Sequence, residues 1–160
     1  MNIDLTRLNN NIDDKVIINQ SFEVPQEYFE NTDLIGLENV KTKGIILKDE
    51  VDYELNIDVE GMMILKCSIT LEPVHYPFNI KISGKLEEII EETSGNIKKN
   101  ENTIDIFPII WENILVEIPM KVVSENAKNF QAEGEGWKLI TENEPIKEIN
   151  PELEKLKKLL

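Results

Sequence analysis

One cysteine and one histidine occur in 160 residues. A disulfide within the chain is therefore excluded, and no zinc site of the ordinary cysteine–histidine kind can be assembled from one of each. That scarcity fits a reducing cytoplasm. No uncharged apolar run has the length needed to cross a bilayer. The first ten residues, MNIDLTRLNN, lack the basic start and apolar stretch of a secretory signal. Bases are also scarce: 17 against 31 acids, a formal net charge of -14. Such a surface repels phosphate backbones overall and favours basic partners, although a local basic patch is still able to touch RNA.

What is present supports one folded domain over residues 1–160. Hydrophobic residues make up 41% of the chain, enough for a sizeable core. In residues 104–121, Phe107, Ile110, Trp111, Ile114, Leu115 and Ile118 recur at spacings of three and one. That pattern predicts one apolar face of a helix over 107–118. Pro108 suits its first turn and Pro119 ends it.

Strand signals lie upstream. Residues 16–24 and 44–47 read as strands, and 26–31 as one short helical turn. Between 51 and 60, Val51, Tyr53, Leu55, Ile57 and Val59 alternate with polar residues, the mark of a half-buried strand. Met63, Leu65, Cys67, Ile69 and Leu71 continue the odd-numbered set; Tyr76, Phe78, Ile80 and Ile82 are even-numbered. Pairing Val59 with Met63 across an odd-length connection or a bulge near Gly61, and Leu71 with Tyr76 across a loop at 72–75, gives a three-stranded antiparallel meander with one apolar face. The expected fold is α+β: this meander, with closure into a barrel left open, covered on one face by the 107–118 helix. Residues 85–92 suit strand or helix. Residues 93–103 and 124–136 read as mobile loops, and 120–123 and 137–140 as strand-like. Residues 150–160 have Asn at the N-cap, Pro151 at the first position, an acidic start and a basic end, so a short terminal helix is expected.

Each reactive or charged group has a plain reading. Cys67 falls on the expected apolar face between Leu55 and Ile80, where a free cysteine acts as a small hydrophobe. His75 is placed in a solvated loop without a nucleophile or orienting group beside it. Glu87, Glu88, Glu91 and Glu92 read as a solvated face. Gly134 and Gly136 lack the context of a phosphate loop. Lys155, Lys157 and Lys158 complement a helix dipole or form a small contact patch for an anion. Trp111 reads as core, whereas Trp137, behind a glycine-containing loop, is a candidate contact residue. No catalytic, metal or cofactor set emerges, and the chain reads as non-enzymatic.

Three segments resemble the YceD-like family of large ribosomal RNA subunit accumulation proteins, of which this chain looks like a cysteine-poor member. LKCSITLEP at 65–73 is similar to the family's Cys-x-Arg-Cys-Leu-Glu-Pro core, matching at Cys67, Leu71, Glu72 and Pro73, with Thr70 in place of the second cysteine and Ile69 in place of arginine. Residues 105–121 match marked positions at Asp105, Glu112 and Pro119. Residues 150–159 resemble the terminal Asp-Pro-Arg-Leu helix through Pro151 and Leu153, with Asn150 and Glu152 in place of the usual aspartate and arginine. The resemblance implies a cytoplasmic, non-catalytic factor in ribosome biogenesis. Any metal role of cysteine-rich relatives does not transfer. The acidic balance points to a basic ribosomal or assembly protein as partner, through candidate positions Trp137, Glu112, Lys155, Lys157 and Lys158. Direct binding of large-subunit RNA through Lys41, Lys43, Lys48, Lys66 and Lys81, or through the terminal Lys155, Lys157 and Lys158, is the competing expectation. An enzyme gathering carboxylates around Cys67 or His75 is the third.

Overall fold

The computed structural model describes residues 1–30, 32–49, 52–93, 97, 99–100, 102–129, 133–134 and 137–138. The chain divides into two units, Met1–Ser124 and Glu125–Leu160. The first holds β1 (Asn2–Asp4), α1 (Thr6–Asn9), β2 (Lys15–Ser21), a 3-10 turn (Gln26–Phe29), β3 (Leu34–Lys48), β4 (Tyr53–Lys66), β5 (Pro73–Lys85), α2 (Leu86–Glu92), β6 (Lys99–Asn100), β7 (Thr103–Asp105) and α3 (Phe107–Val116). The second holds a 3-10 turn (Glu125–Asn129) and the antiparallel pair β8 (Glu133–Gly134) and β9 (Trp137–Lys138). The expected terminal helix, with Lys155, Lys157, Lys158, Pro151 and Leu153, lies outside the described residues.

The first unit is α+β with antiparallel sheets. The larger sheet has strand order β2-β3-β4-β5 and is open, with β2 and β5 at its edges; the smaller has order β1-β7-β6. Odd-numbered side chains of β4 face inward: Leu55, Ile57, Val59, Met63 and Leu65 are buried. They meet Ile18, Val40 and Ile46 from β2 and β3, and Phe78, Ile80 and Ile82 from β5, in one apolar cluster. The other side of that cluster is closed by Ile3, Leu5, Leu8, Leu86 and Ile104, and by Ile109, Ile110 and Ile114 of α3. The amphipathic helix is thus where its spacing placed it, with Pro108 in its first turn. Ile109 joins its buried face, while Phe107, Trp111 and Leu115 flank it half-buried.

The register differs from the sequence expectation. β4 runs unbroken through Gly61, which pairs with Phe78, and Val59 pairs with Ile80 and Ile57 with Ile82. Gly61 is a point of close approach, not a turn: a Cβ there would sit 3.0 Å from two Phe78 ring carbons and 3.3 Å from the Val40 Cα. The reversal falls instead at residues 67–72, where Leu71 takes the positive φ of 60°. The parity argument survives, because odd positions of β4 still oppose even positions of β5. The turn moved, so the pairing slid along the strands.

β3 is far longer than the 44–47 segment. Its pairing shifts between Glu38 and Lys41, next to Asn39 at φ 53°. That extra residue is a bulge and switches the inward set from odd to even: Leu37 opposes Met63 before it, Thr42 opposes Val59 after it. In residues 85–92 the helical alternative wins, with Leu86 buried and Ile89 and Ile90 half-buried beside it. Glu87, Glu88, Glu91 and Glu92 lie exposed on its other side. Within 93–103, Lys99–Asn100 pairs with β7.

Candidate functional site

Of the segments that carry the family-like pattern, the first and the end of the second meet at the β4–β5 reversal; the third, 150–159, lies outside the described residues. The Cys67 N–H donates to the Glu72 carbonyl at 2.8 Å, and the Leu71 N–H to the Cys67 carbonyl at 3.0 Å, closing a six-residue loop. The chain leaving α3 returns to this loop. Ser68 N–H donates to the Val122 carbonyl at 2.8 Å, and Val122 N–H to the Ser68 Oγ at 3.3 Å. Residues 120–123 therefore do not form the expected strand: Ser68 clips them locally, and Met120 points wholly into solvent. Between loop and clip lies a cleft of about 290 Å³, whose walls include Asp33, Cys67, Leu71, Pro119, Met120 and Val122.

Cys67 is fully buried, as expected, but not where or why expected. It sits in the loop, opposite neither Leu55 nor Ile80, and outside the apolar cluster. Its Sγ accepts N–H bonds from Ser124 and Thr70, both at 3.4 Å. The Ser124 N–H leads, Thr70 adds to it, and together with a smaller contribution from Ile69 they draw the thiol down to about 6 against the opposing cost of burial. The sulfur therefore acts as a hydrogen-bond acceptor that ties loop to clip, not merely as a hydrophobe. Glu72 accepts a 3.3 Å bond from the Thr70 hydroxyl and stands exposed at the loop's foot, where Pro73 opens β5. Leu71 is 72% exposed although it is a leucine in a left-handed conformation. A non-glycine residue in that region costs about 1–2 kcal/mol.

The other singled-out residues lie elsewhere. Asp105 starts α3: its Oδ1 accepts the Phe107 N–H at 3.1 Å and the amino terminus of Met1 at 2.6 Å. β1 delivers that terminus by pairing Ile3 with Ile104. Its role is to anchor the helix start. Glu112 is half-buried on α3. His75 is exposed, as expected, but on β5 and not in a loop, because the reversal ends earlier. Trp111 is half-buried among rings that include Tyr28, Phe29 and Phe107. Trp137 lies in β9; its side chain and Gly136 are outside the described residues.

On the outer face of the larger sheet, lysines alternate with acids. Lys43 meets Glu60 at 3.5 Å and Lys81 meets Asp58 at 4.0 Å, both pairs exposed. Lys41 and Lys66 share that face, whereas Lys48 turns aside to the Leu8 carbonyl at 3.1 Å. Central acids thus interrupt the two lysine rows. Among the described residues, no group of three or more His, Cys, Asp or Glu has the spacing to hold a metal ion. None of their helices is long and apolar enough to cross a membrane.

The family model described as "Large ribosomal RNA subunit accumulation protein YceD" matches residues 55–160. The chain belongs to the YceD family. It is also 31% identical, over 166 aligned positions, to the "Uncharacterized protein YlbN" of Bacillus subtilis (strain 168), covering 91% of this chain and 96% of that protein. No solved structure matches. The YceD match spans the β4–β5 hairpin from Leu55 onward, α3 and the clip. Within the matched residues, Cys67, Leu71 and Pro119, three of the positions on which the sequence resemblance rests, line the same cleft.

The sequence did not reveal this convergence, because the loop was expected at 72–75 and the reversal falls at 67–72. The absence of glycine from 67–72 removed the usual turn signal. The ring cluster around Trp111 was also missed, since its two contributing segments lie some 80 residues apart. One sequence signal was available: residues 16–40 and 100–120, which hold all five rings, contain no lysine or arginine.

Proposed function

We propose that this chain is a cytoplasmic, non-catalytic ribosome-biogenesis factor that supports accumulation of large-subunit ribosomal RNA by binding a basic ribosomal or assembly protein. The observation that carries the reading is the family match over residues 55–160, joined to a formal net charge of -14. A strongly acidic surface attracts basic proteins and repels an extended phosphate backbone. The interleaved charges on the sheet face support the same choice. An RNA-tracking groove needs cations in an uninterrupted run, and here Asp58 and Glu60 engage Lys81 and Lys43.

Affinity capture with the full-length chain, at low and moderate salt, tests the proposal. Recovery of identified basic large-subunit or assembly proteins is expected, followed by direct binding of the purified partner. Tight binding of naked large-subunit RNA, falling steeply with salt and with loss of Lys41, Lys43 and Lys81, would replace protein capture by direct RNA contact.

A further inference from the structure

Five aromatic rings meet on one side of the first unit. Tyr28 packs edge-on against Phe107 (5.0 Å between centroids) and Trp111 (5.5 Å). Phe29 packs on Trp111 at 6.0 Å, and Phe22 on Phe107 at 5.9 Å. Phe107 and Trp111, one turn apart on α3, lie nearly parallel at 6.4 Å and 9°. Half of the ten aromatic residues of the chain are therefore spent on one cluster. Four of them are half-buried, and of these Phe22, Phe29 and Trp111 lean on the core, while Tyr28 is 39% exposed.

The charge on the segments that carry these rings is one-sided. Glu23 follows Phe22, Glu27 precedes Tyr28, Glu30 follows Phe29 and Glu112 follows Trp111. Glu23, Glu27 and Glu30 are exposed. The two stretches supplying the cluster, 16–40 and 100–120, contain five and four acids and no base. The lysines of the first unit stand mainly on the outer face of the larger sheet instead. An electron-rich ring surface fringed by carboxylates has a specific complement. A guanidinium stacks on aromatic faces and is more weakly hydrated than an ammonium, and its fork fits a carboxylate.

We infer that the Tyr28–Phe107–Trp111 face is the seat of an arginine-bearing basic segment of a partner protein. The inference rests on the proposed function and assigns that function a place on the molecule. Arginine side chains stack over the exposed ring surface of Tyr28, beside Trp111, and Glu23, Glu27 and Glu30 hold their charge. The occupant is protein, because the same carboxylates repel a nucleic-acid backbone.

The test uses the full-length chain and two fluorescent nonapeptides of equal charge, one of arginine and one of lysine, titrated by anisotropy at low salt. The arginine peptide is expected to bind about threefold to fivefold more tightly, the range of an exposed cation–π contact. Tyr28→Leu, which keeps apolar bulk, is expected to erase that preference while leaving lysine-peptide binding intact. Glu23→Gln/Glu27→Gln/Glu30→Gln, all at exposed positions, is expected to weaken both peptides severalfold. The control pair Glu88→Gln/Glu91→Gln on α2 is expected to change neither by more than its share of net charge. Binding without arginine preference, or equal losses in both glutamine variants, would overturn this site while leaving an acidic adaptor in place. A sedimentation shift of the free chain caused by Tyr28→Leu would make the face a contact between copies, and would also overturn it. Failure of both peptides to bind at low salt would remove the basic-partner reading itself.

Discussion

Replacing three glycines by alanine separates the observed register from the one expected by pattern alone. At Gly61 a new Cβ would stand 3.0 Å from Cε1 and Cζ of Phe78. Ordinary carbon contacts lie at about 3.5–4.0 Å, so the ring must retreat by roughly 0.5–1 Å. Phe78 is only 6% exposed and packed within the core, where such overpacking costs about 1–3 kcal/mol. Loss of glycine's unfolded-state freedom returns about 0.4–1 kcal/mol. The net cost of Gly61→Ala is about 1–2 kcal/mol, or a Tm lower by about 2–8 °C in a chain of this size. At Gly44 the Cβ would run into the Asn56 carbonyl oxygen and stand 2.8 Å from the Ile57 Cα. Both are backbone of the paired strand, so β3 and β4 must part. Gly44→Ala should cost more than about 3 kcal/mol. At Gly36 the nearest atom is the Ile64 Cδ1 at 3.8 Å, and alanine there should be neutral or stabilising by up to about 1 kcal/mol. Thermal and urea unfolding followed by circular dichroism rank the three. If Gly61→Ala were as stable as Gly36→Ala, no ring would lie over residue 61 and β4 would not run through it.

Further outcomes follow from single residues. The folded-state Cys67 thiol, held near 6 against an ordinary value of 9.0 chiefly by the Ser124 N–H, favours folding as the thiolate. Its contribution is complete above about pH 9 and is lost as pH falls towards 6; the urea midpoint of the wild type should therefore rise with pH across that window more than that of Cys67→Ala, and parallel profiles would refute the thiolate. Leu71→Gly should raise stability by about 1 kcal/mol, because it relieves the left-handed strain and sacrifices a mostly exposed side chain; an unfolding midpoint that drops would show that Leu71 packs in solution. The Thr42 hydroxyl is fully buried with no hydrogen-bond partner. Thr42→Val, nearly identical in shape, should add about 1–3 kcal/mol and raise Tm by several degrees; a lower Tm would mean that the hydroxyl is satisfied.

The parts that the sequence disclosed are those where a single periodicity runs without interruption. α3 was legible because Ile110 and Ile114 recur at helical spacing behind Pro108, and β4 because its odd positions stay apolar from Leu55 to Val59. β3 was legible only at its end, since the bulge at Asn39 changes which parity faces inward and erases the alternation. The β4–β5 reversal was misplaced for two local reasons. Gly61 looked like a turn but serves ring packing against Phe78, and the real turn gives its positive φ to Leu71, a residue with no turn preference. Cys67 was assigned burial correctly from its position in an odd-numbered set. Its two N–H donors come from Thr70 and from Ser124, and no local pattern announces a bond spanning 57 residues. The family-like positions Asp105 and Cys67 proved to have separate tasks, one starting a helix and the other tying a loop. The aromatic face required tertiary contact between residues 22–29 and α3, and only the base-free composition of both stretches hinted at it.

The most direct measurement for the whole account is direct binding between the full-length chain and purified basic large-subunit or assembly proteins captured with it, compared between wild type and Glu23→Gln/Glu27→Gln/Glu30→Gln. The account predicts a salt-sensitive complex that the triple variant weakens severalfold without loss of folding. An unaltered complex in that variant would contradict the assigned face, and the absence of any such protein at every salt concentration would contradict the function.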